Sequence, residues 1–405
     1  MTTSMDQRET VGIRGTGIIS PLGVGIRDFT SALLDGSSAP ALDADGQLAA
    51  RAPGDPVALL ETPKTYLDRG SVLAMAAASL ARKDAGWDGD RTLDSFRHGI
   101  SLGTACGCPA SMVRFWDSVV VKGPRLANAL FFSHSYPNIP ASMEAIEHGL
   151  SGTHLTFCQG LASGAMAIVG AVDALLLHQA DRMIAGGFET IPPAGALLSG
   201  AGRSSTIFFE DSTPLLSEGA AVFCLERCPA EAASGDPYFC RVAGSGAASF
   251  LPWGSSESSP LASMPRGSRE GAAAAIATSM RRALQSSGHS PSDVGVVVIS
   301  ACGAPILDRA EAEAVVQVFG PGAIPPCTTA ALRAGVAAGM MGPEAVIVAA
   351  LALREEWIIE IGGRAGPDVD DLIPLVREPV ESAVSVALVN SIDPDGACVT
   401  LALAR

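Results

Sequence analysis

The chain reads as an α/β protein in which strands and helices alternate along 405 residues. Val294 to Ser300 (VGVVVIS) is a nearly continuous β-branched run, as expected of a strand buried on both faces. Ala162 to Leu177 is apolar almost all round and too long for a strand, so it reads as a central buried helix. Val11 to Gly17 (VGIRGTG) and Arg241 to Gly246 (RVAGSG) each end in Gly-x-Gly, where two repeats of one α/β unit would begin.

In chain order, the first Gly-x-Gly runs into Ile18, Ile19, Ser20 and Pro21 rather than the third glycine of a dinucleotide-binding turn. The length exceeds one ordinary core and predicts two fused halves, 1–236 and 237–405, joined through the small, polar segment Cys228 to Asp236. Trp253 to Arg269 is Ser/Pro/Gly-rich and reads as a surface loop before a helix from Glu270 to Ser286. With 48% hydrophobic and 17% charged residues the composition is that of a well-buried globular protein. No run reaches the roughly 18 apolar residues of a membrane span, and the polar start lacks the pattern of a signal peptide, so a soluble cytoplasmic protein is expected. A formal net charge of −15 argues against nucleic acid or anionic lipid as partner. Nine cysteines without a repeating framework point to reduced thiols. Cys106-x-Cys108 and Cys224-x3-Cys228 lack the second pair that a zinc site needs, and neither metal nor cofactor is expected.

Thr156 to Glu189 (TFCQGLASGAMAIVGAVDALLLHQADRMIAGGFE) resembles the segment of β-ketoacyl-ACP synthases in which a strand delivers a nucleophilic cysteine to the start of a central helix. Ser163, Gly164, Asp181 and Ala185-Gly186-Gly187 set the register, and the cysteine's slot falls on Leu161. Val11 to Gly17 with Ser20 to Gly23, Leu67 to Arg69 through Ala85 to Trp87, Ser217 to Ala221, and Asp308 to Val315 match further family landmarks in order. The resemblance implies a thiolase-like fold: two similar βαβ-rich halves in a five-layered αβαβα sandwich. It also implies two histidines that polarise a malonyl thioester and stabilise its enolate. Cys302 stands in the first histidine's slot, Gly335 in the second's, and Ala330 where a lysine is usual. In the C-terminal loop Asn390-Ser391 is kept, while Ile392-Asp393-Pro394-Asp395-Gly396 replaces the glycine-rich core that supplies an oxyanion donor.

Other residues could carry chemistry on this scaffold. Cys158 and His154 are four strand steps apart, about 13 Å, too far for a hydrogen-bonded pair. Ser163 lacks the Gly-x-Ser-x-Gly spacing of a hydrolase turn and reads as a helix-start residue. A condensing-enzyme scaffold without its cysteine is similar to the chain length factor, or ketosynthase β subunit, of type II polyketide synthases. That resemblance implies a heterodimer with a catalytic ketosynthase α subunit, a shared tunnel for the growing chain, and an acyl carrier protein that bears it. The group's usual glutamine is absent from the slot. Gln159 lies two residues away, so either the register slips or the chain is a divergent branch, such as those that pair with synthases for polyenes; Ser163, Gly164 and Asp181 favour the latter. His154, Thr156, Cys158 and Gln159 are expected at the dimer edge, and Lys64, Arg69, Arg82 and Lys83 could form a local carrier-docking patch. Cys108, Met112, Phe115 and Trp116 follow the turn Gly103 to Gly107 at helical spacing; they read either as core or as tunnel lining. Three functions therefore stay open: a non-catalytic chain length factor, a standalone acyl-transfer enzyme using Cys158 or Cys302, and a purely structural partner.

Overall fold

The computed structural model describes residues 9–39, 49–62, 64, 66–88, 94–192, 215–230, 235–252, 267–362, 369 and 371–405. Most of the expected loop 253–269 and the middle of the linker 228–236 lie outside the described residues.

Ten strands form the path of the main sheet: β1 (Glu9–Ser20), β2 (His98–Gly103), β3 (His154–Phe157), β4 (Arg182–Glu189), β5 (Gly219–Pro229), β6 (Arg241–Ser249), β7 (Val294–Val298), β8 (Cys327–Thr328), β9 (Val386–Ile392) and β10 (Ala397–Ala404). Their spatial order is β8-β7-β9-β10-β6-β1-β5-β4-β2-β3, with the short Gly23–Val24 strand paired off the path to β1. The first five strands run in the order 3-2-4-5-1 and the last five repeat it. In each set the first three strands of that order pair in parallel, and the fourth pairs antiparallel with both of its neighbours. The seam is antiparallel pairing of β1 with β6, Val11 opposite Val242 and Gly12 opposite Arg241. The two Gly-x-Gly segments singled out in the sequence are thus the first strands of the two sets, side by side.

Helix α1 (Arg69–Ala85) begins where the Asp68 side chain accepts the Gly70 N–H at 3.1 Å and ends at Gly86 in the left-handed conformation. It covers one face of β1 and β5. Helices α2 (Pro109–Lys122) and α3 (Ile139–His148) follow. The central layer is α4 (Ser163–Leu176) and α7 (Met341–Glu355), both rich in buried Ala, Gly and Val and in contact with each other and with strands of both sets. Small residues let these helices approach closely, and each buried Val, Ile or Leu adds about 1.5 to 3 kcal/mol. Helix α5 (Arg269–Ser287) covers β6 and β10, and α6 (Pro305–Phe319) packs on α5. The expected helices 162–177 and 270–286 are therefore present within one residue at each end. The strand that carries the Ala185-Gly186-Gly187 landmark runs on to Glu189. Among the described residues no helix is long and apolar enough to cross a membrane.

Candidate functional site

Between β3 and α4 the chain makes one tight turn, Gly160–Ala162, before the helix starts at Ser163. Ser163 Oγ sits inside this turn. It accepts the Gln159 N–H at 2.7 Å and lies 2.7 Å from the Gly160 carbonyl and 3.1 Å from that of Thr104, so it is a structural pin of the helix start. Leu161 is buried in an apolar cluster that also holds Ala301, Cys302, Ala338, Met341 and Ile392, whereas Gln159 is exposed. The Leu161 N–H, which at a helix start is an unpaired donor, is taken by Asp393 Oδ2 at 2.7 Å, and its carbonyl accepts Ser391 Oγ–H at 3.0 Å. The acidic C-terminal turn expected to lack an oxyanion donor thus puts an acceptor onto the backbone donor of Leu161, the residue expected in the nucleophile's place. Burial raises the Asp393 carboxyl to about 6, against the opposing pull of the Leu161 and Asp395 N–H groups.

Two further buried carboxylates hold neighbouring turns. Glu189 accepts the N–H groups of Ala105 (2.8 Å), Gly339 (3.1 Å), Cys106 (3.2 Å) and Thr190 (3.3 Å). Glu311 accepts those of Ser300 (2.9 Å) and Ala301 (3.2 Å) together with Asn390 Nδ2–H (3.0 Å). Burial pushes both carboxyls up. Sequence reasoning read Asp393 only as part of an altered loop and gave Glu189 and Glu311 no role; the available signal was an acid at the end of an apolar strand or inside an Ala-rich helix.

Cys302 is buried with Sγ 3.4 Å from Asp308 Oδ1, and burial with that nearby acid drives the thiol far above its ordinary range. Asp308 itself is raised to about 7, mainly by burial and then by Glu311. Gly335 has φ 85°, and a Cβ there would stand 2.7 Å from the Leu215 carbonyl oxygen. Gly335, expected from the sequence in the second histidine's place, therefore has neither the backbone conformation nor the room for a side chain. Ala330 and Glu344 line one small cavity with Ser300 and Asn390. Glu344 Oε1 has no hydrogen-bond partner among the described residues, and burial raises its carboxyl to about 8.

The tunnel candidates do not share one environment. Cys108 caps the start of α2 and is buried, its Sγ 3.7 Å from Ser71 Oγ. Met112 and Trp116 are exposed, and Phe115 is half-buried with its ring centroid 5.1 Å from that of Phe132. Beyond Cys108 the helix turns an apolar face outward: Trp116 is 56% exposed, Val120 81%, Val121 79% and Leu126 71%, with Leu130, Phe132 and Tyr136 exposed on the segment that follows. Strand β3 ends the sheet among the described residues, with His154, Cys158 and Gln159 exposed and Thr156 half-buried, its Oγ1 unpartnered. Burial pushes the Cys158 thiol up and the His154 imidazole down. The suggested basic patch is largely neutralised: Arg69 pairs with Glu218, Lys64 with Glu147, and Arg82 lies 3.8 Å from Asp88. Among the described residues no group of three or more His, Cys, Asp or Glu side chains could hold a metal ion.

Residues 8–230 match the model of the β-ketoacyl synthase N-terminal domain and residues 254–361 that of its C-terminal domain. The chain is 28% identical over 431 residues to 3-oxoacyl-[acyl-carrier-protein] synthase 2 of Rhizobium meliloti, covering 98% of both proteins. It is also 28% identical over 409 residues to the tetracenomycin polyketide synthase ketoacyl synthase β subunit of Streptomyces glaucescens, covering 94% of both. A solved ishigamide ketosynthase/chain length factor shares the fold with a TM-score of 0.82 at 21% identity, over 98% of this chain and 99% of that one. The repeated strand order and the helices between its two sets are those of the thiolase-like ketosynthase fold, and with domain matches running through both halves the chain belongs to the β-ketoacyl synthase family.

Proposed function

We propose that this chain is a non-catalytic chain length factor: it pairs with a catalytic ketosynthase and shapes the tunnel into which an acyl carrier protein's polyketide or polyene chain grows. The observation that carries the reading is Leu161 in the nucleophile slot, with its backbone donor already taken by Asp393. Cys302, buried and held protonated, and Gly335, without room for a side chain, count the same way. The likeness to a polyketide ketosynthase β subunit supports the choice of partner. So does the exposed apolar face from Met112 to Tyr136, which is unusual for a free surface in so acidic a chain and suits burial against another subunit, as does the open edge strand β3. We read 1–236 and 237–405 as the two ketosynthase-like halves.

Intact-mass analysis after incubation with an acylated carrier protein tests the reading. No covalent acyl group is expected on this chain, while an intact ketosynthase copurifying with it becomes acylated. Acylation at Cys158, whose thiol is exposed, would instead favour a standalone acyl-transfer enzyme. Length control is tested by Trp116→Ala and Phe115→Ala in the reconstituted pair. Longer released chains are expected, and an unchanged product distribution would favour a purely structural partner.

A further inference from the structure

Asp393 lies across the turn that leads into α4. Its Oδ2 is 2.7 Å from the Leu161 nitrogen, its Oδ1 accepts the Asp395 N–H at 2.8 Å, and the residue is 6% exposed. Gly160, at φ 54°, makes room for it: a Cβ there would overlap Oδ2. Ser391 Oγ–H holds the Leu161 carbonyl from the same strand end, so the turn is gripped at both its donor and its acceptor. The opposite half has the counterpart. Glu189, which ends β4, accepts the N–H of Gly339 in the turn Ala338–Met340 that leads into α7. There the contact joins two backbone segments with no nucleophile slot between them.

We propose that Asp393 is an internal lock on the vestigial acyl site. Its carboxylate occupies the point where the Leu161 N–H would otherwise meet the carbonyl oxygen of an acyl thioester, so this subunit holds no acyl chain in its own pocket and leaves the chain to its partner. The lock rests on the reading of the chain as a non-catalytic subunit. No bond is made or broken: the lock is a hydrogen bond from an amide to a carboxylate, and opening it transfers that donor to a ligand oxygen.

The test uses the full chain, alone or copurified with an intact ketosynthase, and two opening variants, Asp393→Gly and Asp393→Ser. Octanoyl-pantetheine is the probe. It should bind both variants at least about tenfold more tightly than the unmodified chain, and acetate, a carboxylate that can refill the vacated point, should compete. Asp393→Asn keeps an acceptor oxygen of the same size and should stay closed. Folded Gly and Ser variants that bind the probe no better than the unmodified chain would reduce Asp393 to a structural cap and overturn the lock. If neither variant folds, amide exchange over residues 159–163 of the unmodified chain decides: exchange unchanged by the probe supports the lock, and slowed exchange overturns it. A covalent octanoyl adduct on the unmodified chain would sink the non-catalytic reading itself, an outcome distinct from failure of the lock.

Discussion

The turns Gly160–Ala162 and Ala338–Met340 lead into α4 and α7 with the same backbone geometry: Ser163 and Met341, the first helical residues, both have φ −55° and ψ −48°. Each turn presents its middle N–H to a carboxylate supplied by the opposite set of strands, Leu161 to Asp393 and Gly339 to Glu189. The acceptors differ in how much else they hold. Glu189 gathers four backbone N–H groups from three segments, whereas Asp393 holds Leu161 and its own neighbour Asp395. One contact is a hub on which several turns depend, and the other is a single bridge that can be cut with the rest of the fold standing.

That difference is testable by removing each partner in turn. Glu189→Ala should have the largest effect, a loss of about 3 to 5 kcal/mol in denaturant unfolding, because several buried donors lose their acceptor together. Glu344, one helical turn into α7, should act through pH. Its folded carboxyl is raised to about 8, so the stability it contributes is full below about 4.5 and is lost as pH rises through about 8. Glu344→Gln should therefore flatten the stability profile between those values and gain up to about 5 kcal/mol at pH 9 relative to the unmodified chain. Thermal unfolding across that range would check the slope, and parallel profiles would refute it. Asp393→Ala should cost about 1 to 2 kcal/mol, less than the Glu189 variant, since two N–H groups are left unmet. A loss equal to that of Glu189→Ala would erase the distinction between hub and bridge. Leu161→Cys should have the smallest effect, about 1 kcal/mol from the smaller buried side chain. It should leave the chain unacylated and unable to decarboxylate malonyl-carrier protein, because on the proposed reading Cys302 and Gly335 stand where histidines are needed; mass spectrometry and a decarboxylation assay read both.

Much of this frame was legible in the residues because it is local. The β-branched run from Val294 and the all-round apolar run from Ala162 need no partner to be recognised. The carboxylate contacts are not local. Asp393 reaches Leu161 across 232 residues of chain and Glu189 reaches Gly339 across 150, so neither pairing leaves a spacing to read. The stripe at Met112, Phe115 and Trp116 failed to settle for another reason. Helical spacing identifies an apolar face without saying whether this chain or another covers it, and here α2 leaves it largely uncovered. Gly335 could be read as a missing histidine, while its positive φ and the nearby Leu215 carbonyl belong to the fold alone.

The seam between the two strand sets bears on how the chain is made. Strand β1 is almost wholly buried, yet the two long strands that flank it in the sheet, β5 and β6, lie roughly 200 residues or more downstream. At ordinary translation speeds β1 leaves the ribosome about 10 to 40 s before either can reach it. Throughout that interval it lacks both of its long strand partners and is an aggregation-prone edge, so yield should depend on chaperone capacity and growth temperature during synthesis as well as on the stability of the finished fold.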